Sequence, residues 1–233
     1  IQSDGKDKFL ILSNNYEPYP PDLSNEIHDI KEKIQSSKDL IKFSNEIEAI
    51  EAKITTFHIN IVKKRLKSKD VDIVGLHGQT IFHNSDEKIT KQLGSGVKLS
   101  NLIKKTVVYD FRQNDLKNGG EGAPLTPIYH KLLAKVLKKE KKIELPVTFL
   151  NIGGISNITS INEKYKMISQ DIGPGNCLID KWIRSNSSKK FDDNGETARL
   201  GKIDKSILEQ ALENFYYNSV SKKKSLDTND FDI

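Results

Sequence analysis

Hydrophobic and polar positions alternate between two periods along the chain. Lys8–Ser13 is a short run of strand type after a polar stretch at residues 1–7, and Asn14–Pro21 is a loop punctuated by Pro18, Pro20 and Pro21. Asp22 or Ser24 can cap a helix that runs to about Ser36. A longer helix follows, in which Ile47, Ile50, Ile54, Phe57, Ile61 and Leu66 form an amphipathic stripe. Ser44 with Glu46 and Glu48 supplies its cap and acidic first turn, and Lys63–Lys67 its basic last turn, which suits the helix dipole. Val71–Leu76 reads as a strand entering His77-Gly78-Gln79-Thr80, with Ile81-Phe82-His83 beyond. Lys91–Gly96, a helix around Val97–Lys105 and a β-rich run at Thr106–Phe111 come next. Arg112–Pro124 reads as a glycine-rich loop, and Pro124 suits the first turn of a helix to about Lys138. Leu125, Ile128, Leu132, Leu133 and Val136 are the expected buried face of that helix. Lys139–Glu144 is a charged connector where a domain boundary is expected.

The stretch Phe149–Asp180 is the most distinctive. A hydrophobic run enters Gly153-Gly154 and a second run, Ile155-Ser156-Asn157-Ile158, leaves it, which predicts a β-hairpin with a turn bare of side chains. Asp171 follows on a segment interrupted by Gly173-Pro174-Gly175, and Cys177, Leu178, Ile179 and Trp182 predict a helix ending near Arg184. A bare turn beside a carboxylate at the mouth of a helix suits handling of a phosphate next to a hydroxyl or water. Alone, the Gly-Gly pair reads first as a tight loop; two further glycine-containing polar stretches upstream shift that balance. Ile203–Tyr217 has a helical pattern, and Asn218–Ile233 has none that builds a core.

Composition narrows the classes. The 233 residues suffice for one large domain or two small ones. No apolar run approaches membrane-span length and the N-terminus lacks a signal-peptide core. A single cysteine excludes an internal disulfide and any multi-cysteine metal site, and the expected setting is reducing and cytoplasmic. The net charge of +5 is nearly all lysine in scattered groups, so a solvated lysine-rich surface is the default and nucleic-acid binding is disfavoured.

The candidate chemistry has plain alternatives. His77-Gly78-Gln79-Thr80 offers an imidazole, a carboxamide and a hydroxyl that can read sugar hydroxyls, but it is equally a capped turn. Asp110-Phe111-Arg112 with Asp115 is either a local salt bridge or an arginine clamp on a substrate carboxylate or acetamido group. No metal-ligand spacing, no Gly-x-Ser-x-Gly elbow and no Walker A stretch is found, so no protein metal site is expected and a phosphate site must be of another type.

Together, His77-Gly78-Gln79-Thr80, Asp110-Phe111-Arg112 with Asp115, Gly119-Gly120-Glu121-Gly122-Ala123-Pro124-Leu125-Thr126-Pro127 with His130, Asn151-Ile152-Gly153-Gly154-Ile155-Ser156-Asn157 and Asp171-Ile172-Gly173-Pro174-Gly175-Asn176 resemble, in order and spacing, the anhydro-N-acetylmuramic acid kinases. Lys224-Ser225-Leu226-Asp227 and Asp230-Phe231 look like a further family stretch. The resemblance implies an α/β, bilobed fold of the sugar kinase, Hsp70 and actin type, incomplete at both ends, with residues 1–144 in a first lobe and 145–233 beginning a second. It implies a cytoplasmic bacterial enzyme of peptidoglycan recycling. Such an enzyme uses ATP, accompanied by Mg²⁺, and water to open 1,6-anhydro-N-acetylmuramic acid and phosphorylate O6. On that resemblance Asp171 is the general base; His77, Gly78, Gln79, Thr80 and Arg112 hold the sugar; and Gly153, Gly154 and Asn157 lie at the ATP phosphates. The expected partners are the anhydro amino sugar and ATP, with no nucleic acid and no membrane, and the resemblance suggests a homodimer. The rivals are another sugar kinase of the same fold and a non-catalytic sugar- or nucleotide-binding module.

The chain departs from the family pattern in three places. It lacks the glycine- and serine-rich phosphate loop with which family members begin, and the glycine-rich adenosine segment with which they continue. Gly94-Ser95-Gly96 stands where the family often has an acidic residue after the first glycine. The expectation is an internal fragment with little or no kinase activity of its own, whose Lys8–Ser13 strand presents an unpaired edge.

Overall fold

A computed structural model describes residues 1–66 and 71–217 and the single residues Leu226 and Phe231. It is a mixed α/β structure whose contacts divide it into two compact units, Ile1–Leu12 with Thr126–Ile233, and Ser13–Leu125. The sequence puts a boundary near residue 144; the contacts divide the chain at Leu125/Thr126.

The first residues are not a plain tail. β1 (Gln2–Ser3) and β2 (Phe9–Leu10) pair antiparallel around a turn in which Asp4 Oδ1 accepts the N–H groups of Lys6, Asp7 and Lys8 at 2.9–3.0 Å. Those donors favour the ionised carboxylate and hold its pKa at about 2. The expected strand Lys8–Ser13 thus shrinks to two residues, and residues 11–20 have no regular structure.

In the unit Ser13–Leu125, α1 (Pro21–Lys33) begins on a proline, whose missing N–H is harmless at a first turn, and buries Leu23, Ile27 and Ile30 at helical spacing. A short helix that the sequence pattern does not show, α2 (Ser37–Lys42), is held at its start by Asp39, whose Oδ2 accepts from Ser36 N at 2.9 Å and Ser36 Oγ at 2.8 Å. The long α3 (Ser44–Leu66) buries Ile47, Ile50, Ile54, Thr55 and Ile59. The stripe read from the sequence is therefore the packed face as far as Phe57, which lies half-buried against the same core, and Ile59 replaces Ile61 beyond it.

β3 (Ile73–Leu76) leads into a hairpin of β4 (Gln79–Asn84) and β5 (Ile89–Leu93). α4 (Gly96–Ile103) then returns the chain to β6 (Thr106–Tyr109), which pairs parallel with β3. α1, α3 and the hairpin share a core of Leu23, Ile27, Ile30, Ile34, Ile47, Ile50, Ile54, Ile81 and Leu93. Ile59, Leu76 and Leu99 form a second cluster between α3, β3 and α4. Phe111–Lys117 is a helix, α5, where the sequence suggests only loop.

The other unit contains α6 (Pro127–Lys139) and a meander of β7 (Val147–Ile152), β8 (Ile155–Ile161) and β9 (Met167–Pro174), all antiparallel. α6 starts at Pro127 rather than Pro124. Pro127 and Ala134 are its buried residues, and Ile128, expected inside, is 73% exposed. Ala134 packs with Leu145 and Ile161, and Val147, Phe149 and Met167 lie against them. The β1–β2 hairpin docks on the same helix through an edge-on contact of Phe9 with Tyr129 and an ion pair of Asp7 with Lys135 at 2.6 Å. α7 (Cys177–Asn186), α8 (Glu196–Leu200) and α9 (Lys205–Tyr217) complete the described part. Lys224, Ser225, Asp227 and Asp230 lie outside the described residues.

Candidate functional site

The candidate residues fall into two groups, one in each unit. His77 and Gly78 form the turn from β3 into β4, and Gln79 and Thr80 open β4. Gly78 has φ +74°, and a Cβ there would run into the carbonyl of Leu93 on β5, so the turn admits glycine on both counts. His77 Nδ1 lies 2.8 Å from Gly78 O, and Arg112 Nε lies 3.0 Å from His77 Nε2. A carbonyl only accepts and a guanidinium only donates. The proton therefore sits on Nδ1, and Nε2 offers its lone pair to Arg112.

Arg112 reaches this position from the first turn of α5, entered through Asp110 at φ +60°. Its Nη1 donates to Gly122 O at 3.5 Å. The local salt bridge considered from sequence does not form: among the described residues Arg112 pairs with neither Asp110 nor Asp115. Asp115 Oδ2 instead accepts from Gly122 N at 2.8 Å and closes the glycine-rich loop on α5. Burial lowers the Arg112 pKa from its ordinary value, the expected cost of a half-buried guanidinium without a carboxylate. Thr80 Oγ1 accepts from Gln92 Nε2 at 3.3 Å, whereas the Gln79 carboxamide has no protein partner among the described residues. The turn that follows β5 is braced from α3. Glu51 Oε1 accepts from Gly94 N at 3.2 Å and Thr55 Oγ1 from Ser95 N at 3.0 Å. Ser95 caps α4 by accepting from Lys98 N, which accounts for this residue structurally.

The second group rides on the three-stranded sheet. Asn151, Asn157 and Asp171 are paired in register across β7, β8 and β9, so their side chains share one face at one level. Two levels away on that face Val147, Ile161 and Met167 belong to the core under α6, and Phe149, Thr159 and Ser169 lie between. The face grades from apolar core to a carboxylate. Asp171 is half-buried. Its Oδ2 accepts from Leu226 N at 2.8 Å, and Oδ1 has no protein partner among the described residues. Burial raises its pKa from the ordinary carboxylate value, and the bond from Leu226 opposes this only in part. The Asn157 carboxamide also has no protein partner among the described residues.

Gly153 and Gly154 form the β7–β8 turn, as the sequence predicts. The turn's carbonyls face the start of α7: Gly154 O accepts from Gly175 N at 2.9 Å and Cys177 N at 3.3 Å, and Gly153 O from Asn176 N at 2.7 Å. A Cβ at Gly175 would overlap Gly153 O, so the approach of turn to helix requires that glycine. These bonds engage the first amide donor of α7, Cys177 N, and the two N–H groups before it. Gly153 N is also engaged, with Ile155 O at 3.3 Å, and Gly154 N–H remains as the turn donor without a protein acceptor among the described residues.

A family model described as anhydro-N-acetylmuramic acid kinase matches residues 1–233, the whole chain. The chain belongs to the anhydro-N-acetylmuramic acid kinase family. A kinase of that name from Pelagibacter ubique (strain HTCC1062) is 48% identical over 239 residues, covering 100% of this chain and 62% of the relative. Those from Agrobacterium fabrum and Bradyrhizobium diazoefficiens are 36% and 35% identical, each covering 99% of this chain and 62% and 63% of the relative. The chain thus spans about three-fifths of the length of the curated family members it matches.

Among the described residues, the candidate polar groups without a protein partner are Gln79 and Arg112 Nη2 in one unit and Gly154 N–H, Asn157 and Asp171 Oδ1 in the other. Sequence reasoning did not single out Asn151, Thr159 and Ser169; strand alternation counted from Asn157 and Asp171 would have found them. Among the described residues no group of three or more His, Cys, Asp and Glu is arranged to hold a metal ion, and no helix is long and apolar enough to cross a membrane.

Proposed function

We propose that this protein is an ATP-dependent kinase that hydrolytically opens 1,6-anhydro-N-acetylmuramic acid and phosphorylates O6, giving N-acetylmuramic acid 6-phosphate in peptidoglycan recycling. The observation that carries this reading is Asp171: half-buried, with one oxygen anchored on Leu226 N, the other without a protein partner among the described residues, and a pKa raised by burial above the ordinary carboxylate value. That is the state suited to a general base.

In this reading Asp171 takes a proton from the water that attacks the anomeric carbon. The bond from that carbon to O6 breaks, and O6 receives the phosphoryl group. ATP supplies that group, with Mg²⁺ carried on its phosphates. Gly154 N–H and Asn157 meet the phosphates beside Gly153, a reading supported by the lack of a protein partner for both groups among the described residues. His77 and Gly78 form the turn that Arg112 braces, and Gln79, Thr80 and the free end of Arg112 bind the sugar. The two groups work as parts of a bilobed sugar-kinase, Hsp70 and actin-type enzyme, acting in the cytoplasm as a homodimer.

The test is turnover by the protein expressed from its natural gene, with ATP, Mg²⁺ and the anhydro sugar, and the product read by mass spectrometry. N-Acetylmuramic acid 6-phosphate is the expected product. Phosphorylation of an ordinary hexose would move the protein to another sugar kinase of the same fold. Sugar binding without any product would leave a non-catalytic binding module.

A further inference from the structure

One polar chain on the sheet face that carries Asp171 is not used by the chemistry above. His130, on α6, stacks on Phe149 of β7 with ring centroids 5.0 Å apart and planes inclined by 12°. Its Nδ1 lies 2.9 Å from Thr159 Oγ1, on β8. Thr159 Oγ1 lies 3.3 Å from Ser169 Oγ, on β9, and Ser169 Oγ lies 3.0 Å from Ile158 O. The last group fixes every proton in the chain. A carbonyl only accepts, so the Ser169 hydroxyl donates to Ile158 O and accepts from Thr159. Thr159 spends its one proton on Ser169 and accepts from His130 Nδ1–H. The direction is unique: His130 to Thr159 to Ser169 to Ile158 O. Thr159 is 1% exposed, so water cannot substitute for a lost partner.

We infer that His130 is a positioning residue for Asp171, acting through Thr159 and Ser169 to fix the β8–β9 register on which that carboxylate depends. Ser169 precedes Asp171 by two residues and Thr159 follows Asn157 by two, so the chain ties together the level next to the Asn157–Asp171 pair. The regular pairing runs from Ile161–Met167 through Thr159–Ser169 to Asn157–Asp171 and shifts just beyond that pair, between Asn157 and Ser156, and β9 has one strand neighbour among the described residues. A slip of one residue in β9 would turn Asp171 to the opposite face of the sheet. The helix, through His130, holds the strands one level before the pair at which their regular pairing ends. For the catalytic consequence the inference rests on the role proposed for Asp171.

The test compares three variants by two readouts. His130→Phe keeps a ring on Phe149 and removes the donor, Thr159→Val removes the relay at nearly constant shape, and His130→Asn restores an N–H near the position of Nδ1. The first readout is the Asp171 carboxyl titration, followed by ¹³C NMR without substrate, together with the melting temperature. The expected result is a fall of about half a pH unit in the Asp171 midpoint for His130→Phe and Thr159→Val, as the carboxylate moves toward solvent, with recovery in His130→Asn. The second is turnover of the anhydro sugar, where kcat should fall roughly ten- to hundredfold in the first two variants with KM for ATP little changed. An unmoved Asp171 midpoint in both variants would overturn the inference, as would a loss that merely follows the melting temperature and is not rescued by His130→Asn. Turnover is read on the protein expressed from its natural gene, and its absence there without any substitution would count against the proposed function alone, because the titration is read without substrate.

Discussion

The two groups of candidate residues are held by different means. The sugar-binding candidates sit at a turn and at the first turn of a short helix, where single bonds do the positioning: Gly78 O to His77, His77 to Arg112, Arg112 to Gly122 O. Asp171 and Asn157 sit on paired strands, where position follows from register and from the docking of the glycine turn on α7. A turn site can be changed one contact at a time. A sheet site moves as a row, so a distant change in register matters as much as one at the carboxylate.

The largest effect expected from this difference is at Gly175. Gly175→Ala puts a methyl where Gly153 O lies, and neither backbone can yield without separating the turn from α7. We expect a loss of about 1–3 kcal/mol in stability by denaturant unfolding. Unchanged stability would mean that the turn and helix are not docked. Arg112→Lys should be milder and local. It removes the Nε–H bond to His77, and we expect a roughly tenfold higher KM for the sugar at nearly constant kcat and melting temperature. An equal loss in kcat would place Arg112 at the reacting atoms instead. Ser95→Ala should cost about 1 kcal/mol through the α4 cap without touching KM. A change in sugar affinity there would give Ser95 a ligand contact as well.

The smallest effect is on the pH dependence of stability. Burial depresses the folded pKa of His58 and of His130, so the unfolded chain binds protons more readily than the folded one below the ordinary imidazole value near 6.5. Stability should therefore decline as pH falls through that value toward the lowered folded values. Asp171 has the opposite sign. Its folded pKa is raised, so its contribution is present at low pH and is lost as pH rises through the folded value. Thermal melting between pH 5 and 8 should show the histidine slope, and Asp171→Asn should melt slightly higher than the unsubstituted protein at neutral pH. A variant that melts lower there would contradict a carboxylate disfavoured by burial.

Much of this was legible in the sequence where a strong period or a turn residue carried it. The α3 stripe, the Gly153-Gly154 hairpin and the helix after Asn176 fall where the pattern puts them. The errors have physical causes. α5 was hidden because Arg112–Lys117 is polar and its one fully buried residue is Leu116. The buried face of α6 is hidden because its packed residues, Pro127 and Ala134, carry little hydrophobic signal beside Ile128, Leu132, Leu133 and Val136. The role of Arg112 was open because its partner, His77, is 35 residues away and only folding brings them together. The row Asn151–Asn157–Asp171 is implicit in strand alternation, but it also needs the register of both hairpins, which folding sets across 6 and 14 residues of chain.

The central claim is that Asp171 activates water while O6 is phosphorylated. Its most direct test is turnover of the anhydro sugar in ¹⁸O-labelled water by the protein from its natural gene and by Asp171→Asn. The account predicts one label at the anomeric oxygen, a phosphate at O6, and a loss of roughly a hundredfold or more in kcat for the variant with the label pattern unchanged in what product remains. A phosphorylated product with no label, or a variant as active as the unsubstituted protein, would contradict it.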